Sequence, residues 1–389
     1  MKSTDRQPLL PGSVLGVIGG GQLGRYFVIE ARRLGYDTWV LDPSENSPAM
    51  QWSTHSLVAP YDDQKALATL AHECDAVTTE FENVPAASLE YLSQVVPVAP
   101  SAACVKIAQD RRLEKAHAIK HGIATVPYAV IESSEDFEKT LDTLELPAIL
   151  KTATLGYDGK GQKTCHTIDE LVTAFYDLNQ VPCVLEQRVD LAAEISVVMA
   201  RGAAGDTQVF PVAQNVHTNG ILDTTTVPAS VDQALQEEAT SIAKRFAKGM
   251  DYQGVMALEF FVTTDQRLLF NEMAPRPHNS GHYTLDATVV SQFEQQVRAL
   301  CGVPLGDASL VSPVCMLNLL GDSWAGSTSG ANPGTADFAS VLATSNAKLH
   351  LYGKAQARPG RKMGHINCLA QTPADALTAA LALRQALRP

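Results

Sequence analysis

A glutamate inside an apolar run needs a reason, because a charged group is costly there unless it is paired, bound to a metal or turned into a cleft. Glu259 lies in such a run, Val255-Met256-Ala257-Leu258-Glu259-Phe260-Phe261-Val262, and Glu272 ends another, Leu268-Leu269-Phe270-Asn271-Glu272. If the runs form a hairpin closed at Thr263 and Leu268, with Thr264 to Arg267 as its loop, Glu259 falls directly opposite Glu272 on one face. Left bare, the two carboxylates repel. A divalent cation reverses that sign, and Mg2+ suits a few carboxylates shared with phosphate oxygens. Asn271 is a possible third ligand, although strand alternation sends it to the other face unless the strand bends. The structural alternative is one glutamate in a salt bridge and the other in water.

Two glycine-rich stretches point to phosphate. In Gly156-Tyr157-Asp158-Gly159-Lys160-Gly161-Gln162 three glycines allow the backbone to fold over phosphate oxygens, with Lys151 supplying positive charge from the preceding strand. It is not a Walker A loop, since Gln162-Lys163 follows Gly161 where Lys-Ser or Lys-Thr would be required, and the alternative is a hairpin tip. Gly19, Gly21 and Gly24 form GxGxxG between an apolar strand and a helical pattern, with Asp42 ending the next strand. This suits a dinucleotide such as NAD, another phosphorylated ligand at a helix N-terminus, or simply a tight turn.

A net charge of -12 disfavours nucleic acid and anionic membranes as partners, so bound phosphate requires a local basic site. Lys354, Arg358, Arg361 and Lys362 form a basic cluster that could supply one, with a solvated face as the alternative. The seven cysteines are scattered, odd in number and without a CxxC pair, which points to a reducing, cytoplasmic setting. No run reaches the length of a membrane span. His72, His117 and His121 match no motif and read as surface residues.

Elements must bring these groups together. Strands at Val14 to Ile18, Thr38 to Leu41 and Ala76 to Thr79, with helices at Gln22 to Leu34 and Gln64 to Cys74, make an open α/β unit. A helix over Lys106 to Lys120 leads to a strand at Tyr128 to Ile131. Short strands and one helix, Ile168 to Leu178, between Ala148 and Arg201 read as a small α+β lid. A helix at Val231 to Lys248, the two glutamate-bearing strands and a helix from about Leu285 to Leu300 form the floor. Further short strands, a Gly/Ser/Asn-rich loop from Gly326 to Gly334 and a helix from Pro373 to Leu387 complete the chain, while the residues before Val14 read as a disordered leader.

Several segments in order carry a family resemblance: GGGQLGR at Gly19, TTEFENV at Thr78, AQDR at Ala108, GYDGKGQ at Gly156, HTNGIL at His217, FNEMAPRPHNSGH at Phe270 and HLYGKAQARPGRKMGH at His350. Together they resemble the N5-carboxyaminoimidazole ribonucleotide synthetase family of the ATP-grasp superfamily over nearly the whole chain. The resemblance implies a mixed α/β and α+β ATP-grasp fold. Its parts would be a Rossmann-like pre-ATP-grasp domain over residues 1–105, an ATP-grasp domain over 106–302 with a lid at about 125–190, and a small C-terminal domain over 303–389. It also implies ATP, bicarbonate and aminoimidazole ribonucleotide as substrates, Mg2+ as cofactor, carboxyphosphate as intermediate, and a homodimer.

Position by position, the resemblance assigns ATP contacts to Arg111, Lys151, Gly156, Tyr157, Asp158, Gly159, Lys160, Gly161, Gln162, Glu186, Gln187, Arg188, Val189, Glu194, His217, Asn271 and Glu272. It assigns metal to Glu259 and Glu272, and the ribonucleotide to Gln22, Leu23, Glu80, Tyr157, Asp158, Asn279, Lys354, Arg361 and Lys362, which turns the first glycine loop away from NAD. Within APRPHNSGH, Arg276 and His278 are the candidates for holding bicarbonate or carboxyphosphate, and with Lys354 they make up the catalytic candidates. The competing readings are the formate-dependent glycinamide ribonucleotide transformylase, a biotin-dependent carboxylase and a nucleotide-binding regulator without chemistry; NVHTNGIL and TTEFENV favour the carboxyaminoimidazole enzyme.

Overall fold

The computed structural model describes residues 7–141, 144–156, 161–324 and 338–387. Its first sheet is parallel, in the order His55–Val58, Asp37–Asp42, Val14–Ile18, Ala76–Thr79. The inner strands are apolar on both sides because both faces are covered. Leu15, Val17 and Val40 pack with Phe27 and Val28 of the Gln22–Arg33 helix, whereas Ile18, Leu41 and Val77 pack with Leu67 and Leu70 of the Gln64–Glu73 helix.

A second sheet, antiparallel throughout, runs Tyr128–Ile131, Cys183–Gln187, Ala148–Thr152, Gln162–Cys165. Leu171, Ala174 and Phe175 of the Ile168–Asp177 helix cover it. Leu191–Arg201, grouped with this lid by sequence, instead pairs with Gly254–Thr263 in the floor, because its apolar run Ile195 to Ala200 is buried on both faces there.

The floor is one sheet of nine strands that continues into the C-terminal segment, in the order Leu268–Ala274, Gly254–Thr263, Leu191–Arg201, Ala213–Thr218, Ile221–Val227, Val314–Leu320, Lys362–Leu369, Ala347–Leu351, with Thr207–Val209 beside Leu191–Arg201. The Gln233–Gly249 helix buries Leu235, Ile242 and Phe246 against one end, and the Pro373–Ala386 helix buries Ala376, Ala380 and Leu383 against the other. Gln296 ties floor to first sheet: its amide donates to Thr78 Oγ1 at 2.8 Å and accepts from Val255 N at 2.5 Å.

Three expectations change. The helix expected over Lys106 to Lys120 is two, Ala102–Ala108 and Arg111–Lys120, because the Asp110 side chain accepts from Arg112 N and caps a new start. The helix expected from Leu285 divides likewise into Thr284–Ala287 and Gln292–Cys301, since Ser291 accepts from Glu294 N in a Ser-x-x-Glu cap. Nor is the leader disordered from residue 7 onward: Leu9 N–H donates to Cys301 O at 2.9 Å and Leu9 O accepts from the Tyr36 hydroxyl at 2.9 Å. The loop expected at Gly326 to Gly334 lies outside the described residues.

Candidate active site

The two glutamate strands do form the hairpin, but one residue tighter than expected: Val262 pairs with Leu268 and Phe260 with Phe270. A bulge then inserts Asn271, and beyond it Glu259 stands opposite Glu272. Phe270 and Met273 both pack in the core, so the two residues between them turn to the face that Glu259 occupies. This resolves the conflict over Asn271. Its Oδ1 is buried without a partner among the described residues, as befits an oxygen awaiting a ligand. Two carboxylates and an amide oxygen fit Mg2+, and no protein-only cage of three His, Cys, Asp or Glu side chains occurs among the described residues.

The pair is electrostatically divided. Burial and the Glu272 charge raise the Glu259 pKa, with His217 opposing. Burial acts the same way on Glu272, but Arg111 and Lys151 outweigh it and the net direction is down. Arg111 Nη1 lies 2.9 Å from Glu272 Oε2, and its backbone N–H donates to Ala153 O at 2.9 Å. The break at Asp110 is what sets Arg111 in the first turn of its helix, facing this strand.

Lys151, on the lid, meets Glu186 Oε2 at 2.5 Å, while Lys115 meets Glu186 Oε1 at 2.7 Å. Burial alone would raise the Glu186 pKa; Lys151 and Lys115 together bring it down to about 2. Glu194 and His217 stand 2.8 Å apart. Burial lowers the His217 pKa, but Glu194 and the nearby Glu259 carry the net direction upward. Gly161 has φ +71°, and a Cβ there would lie 2.7 Å from Thr152 Oγ1, so the end of the glycine stretch requires glycine. Gly156, Gln162, Gln187, Arg188 and Val189 border the same sheet, and Gln162 pairs with Lys151. Tyr157, Asp158, Gly159 and Lys160 lie outside the described residues.

On the far side of the carboxylates, Arg276 Nε meets Glu82 Oε2 at 2.6 Å and His278 Nε2 stands 3.5 Å from Glu259 Oε1. The His278 backbone is clamped by Gln292, which donates to its carbonyl at 2.8 Å and accepts from its N–H at 2.9 Å. Burial, Arg276 and Lys362 hold the His278 pKa well below the usual histidine range, so its ring is neutral. Both polar atoms of the Asn279 amide are buried without partners among the described residues. Lys354 Nζ donates to Lys362 O at 2.8 Å and Arg361 Nη1 to Gln356 O at 2.8 Å. The Lys362 charge acts on Glu82, Glu259 and His278, so this member of the basic cluster is felt at the carboxylate pair.

The first glycine loop is already filled by the chain's own carboxylates. Gly20 N donates to Asp42 Oδ2 at 2.7 Å, Gly21 N to Glu80 Oε1 at 2.7 Å and Gly24 N to Glu80 Oε2 at 2.9 Å. Donors committed to two carboxylates cannot also cradle a pyrophosphate, and this disposes of the NAD alternative. Gln22 is part-exposed beside them, but Leu23 packs among Tyr26, Phe293 and Tyr352, so its side chain is taken up by the core. Lys115, Glu82 and Gln292 went unrecognised in the sequence. Glu82 stands inside TTEFENV and could have been chosen, whereas Lys115 and Gln292 lie in ordinary helical patterns with no signal.

Three domain families match in this order: the ribonucleotide synthetase preATP-grasp domain over residues 13–109, the ATP-grasp domain over 116–293, and the phosphoribosylaminoimidazole carboxylase C-terminal domain over 314–379. The N5-carboxyaminoimidazole ribonucleotide synthase of Brucella melitensis is 44% identical over 364 residues, 93% of this chain and 98% of that protein. The chain belongs to the N5-carboxyaminoimidazole ribonucleotide synthase family. Within that family, an N5-carboxyaminoimidazole ribonucleotide synthetase solved as an ADP complex superimposes with a TM-score of 0.91 at 39% identity, covering 97% of this chain and 98% of that one. The Aspergillus clavatus N5-carboxyaminoimidazole synthase, solved with ADP and 5-aminoimidazole ribonucleotide, gives a TM-score of 0.88 at 30% identity, covering 97% and 99%.

Proposed function

We propose that this chain is an ATP-dependent carbon–nitrogen ligase that carboxylates 5-aminoimidazole ribonucleotide to N5-carboxyaminoimidazole ribonucleotide in de novo purine synthesis, consuming ATP and bicarbonate and releasing ADP and phosphate. The observation that carries this reading is the bulge at Asn271, which sets Glu259, Glu272 and Asn271 on one face with Arg111 on one side and His278 on the other. Phosphate chemistry and a site for a small anion thereby share one wall. Three-part division of the chain near residues 105 and 302 belongs to the same reading.

In the proposed reaction a bicarbonate oxygen attacks the γ-phosphorus and the bond to ADP breaks, giving carboxyphosphate. The exocyclic amine of the ribonucleotide then attacks its carbonyl carbon, phosphate leaves with the bonding pair, and the nitrogen loses a proton. Mg2+, held by Glu259, Glu272 and Asn271, would neutralise charge on the phosphate oxygens. Arg111 and Lys151 hold the triphosphate, and Glu186 fixes the Lys151 ammonium. Arg276 and the neutral His278 hold bicarbonate and carboxyphosphate. Glu80, held by the amides of the glycine loop, borders the ribonucleotide, Asn279 offers its unpaired amide, and Lys354, Arg361 and Lys362 hold the 5'-phosphate. No side chain acts as a covalent nucleophile, so catalysis is positioning and charge neutralisation.

The enzyme is proposed to be a cytoplasmic homodimer. Seven buried, unpaired cysteines agree with a reducing compartment, and no helix among the described residues is long and apolar enough to cross a membrane. The test is ADP release with Mg-ATP and bicarbonate, with and without aminoimidazole ribonucleotide, while free ribonucleotide is followed in parallel. Stimulation with matching consumption supports the reading. No stimulation, with turnover on glycinamide ribonucleotide and formate, moves it to the formylating relative.

A further inference from the structure

Three motifs contain a histidine that the proposed reaction leaves unused: His282 closes APRPHNSGH, His350 opens HLYGK and His365 closes GRKMGH. The fold stacks all three. His350 and His365 are directly opposed on neighbouring strands, with ring centroids 4.4 Å apart and planes 10° from parallel. His282 stacks on His365 as well, at 4.6 Å and 6°, with Phe293 beyond it at 5.7 Å. The column is anchored where His350 Nε2 meets Asp286 Oδ2 at 2.7 Å, an oxygen that also accepts from Asn367 Nδ2 at 2.7 Å.

From the middle of the column one polar contact leads outward: His365 Nδ1 lies 2.9 Å from the Tyr352 hydroxyl. Tyr352 is fully buried, so its hydroxyl needs a partner, and His365 Nδ1 supplies it. Burial, followed by the neighbouring imidazoles, keeps His365 neutral. The face of the Tyr352 ring carries the Lys354 ammonium, 5.6 Å from its centroid, and Arg25 Nη1 holds the Tyr352 carbonyl at 3.2 Å. A lysine stem has many rotamers to lose when its ammonium is held in one place. The Tyr352 face and the Lys362 carbonyl together restrict where the Lys354 ammonium can sit.

We propose that Tyr352 is a positioning residue for Lys354: its hydrogen bond to His365, braced by His282, His350 and Asp286, fixes the ring that places the ammonium at the 5'-phosphate of the ribonucleotide. This rests on the reading of Lys354 as a ribonucleotide contact, so the experiment separates the two. KM for aminoimidazole ribonucleotide and for ATP is measured on the full chain by ADP release, with thermal midpoints as a folding control.

Tyr352→Phe should raise the ribonucleotide KM about tenfold and leave the ATP KM within about twofold. His365→Leu should do the same, whereas His365→Asn, which retains an acceptor oxygen near Nδ1, should recover most of the loss. In a Lys354→Met background Tyr352→Phe should cost nothing more, because its effect acts through that lysine. The proposal is overturned if Tyr352→Phe leaves the ribonucleotide KM unchanged while Lys354→Met raises it, if both KM values rise together, or if the two substitutions add. A ribonucleotide KM unchanged by Lys354→Met overturns the reading of Lys354 and this proposal with it. Should His365→Leu fail to fold, Tyr352→Phe and the double variant still decide.

Discussion

Glu259 and Glu272 face each other across two antiparallel strands whose pairing slips by one residue between Phe260 and Glu259, and Asn271 is the residue that absorbs the slip. The bulge places three oxygen-bearing side chains on one face where regular alternation would give two.

Glu272→Gln should therefore reduce ATP turnover at least about 100-fold, because it removes a carboxylate that would hold the Mg2+ neutralising the transferring phosphate. Circular dichroism should show the fold intact. Near-normal turnover in Mg2+ would take Glu272 out of the metal site.

Glu186 gives a pH signature. Its carboxyl, ordinarily near 4.5, is held to about 2 in the folded chain, so below about 4.5 the unfolded chain binds the proton more readily. The stability it contributes is present above about 4.5 and drains away as pH falls toward 2. Glu186→Gln leaves Lys115 and Lys151 without their counter-charge and should cost about 3–5 kcal/mol at pH 7. The gap from wild type should close as pH falls through that window, measured by urea unfolding at a series of pH values; a gap independent of pH would refute the assignment.

Glu80→Gln retains one acceptor oxygen and turns an NH2 group against a backbone N–H, either that of Gly21 or that of Gly24. The loss expected is about 1–3 kcal/mol of stability, with a weaker ribonucleotide interaction. An unchanged unfolding midpoint would mean that the glycine loop does not depend on this carboxylate.

Arg361 donates to the Gln356 carbonyl and its removal leaves no buried charge behind. Arg361→Ala should raise the ribonucleotide KM about tenfold with little change in thermal midpoint, consistent with loss of one charge-assisted contact to phosphate. The effect should shrink at high salt, where such attractions are screened. A change confined to the ATP KM would place Arg361 elsewhere.

The parts whose physics is local can be read along the chain. Apolar runs of strand length marked Val14–Ile18 and the two glutamate strands, and the expense of an ionised group among Leu258 and Phe260 marked Glu259 before any partner was visible. The helix breaks at Asp110 and Ser291 were also within reach, since each residue is a good N-cap placed where a new helix begins.

The rest depends on residues far apart in sequence. Alternation counts every residue equally, so it could not foresee that Asn271 would be extruded to keep Phe270 and Met273 both in the core. GxGxxG could not reveal that its donors are taken by Asp42 and Glu80, which lie 22 and 59 residues from the amides they accept. Lys115 and His365 look ordinary in their own segments. Their partners, Glu186 on another sheet and His282 before another helix, are supplied by packing, and burial gives these contacts their strength.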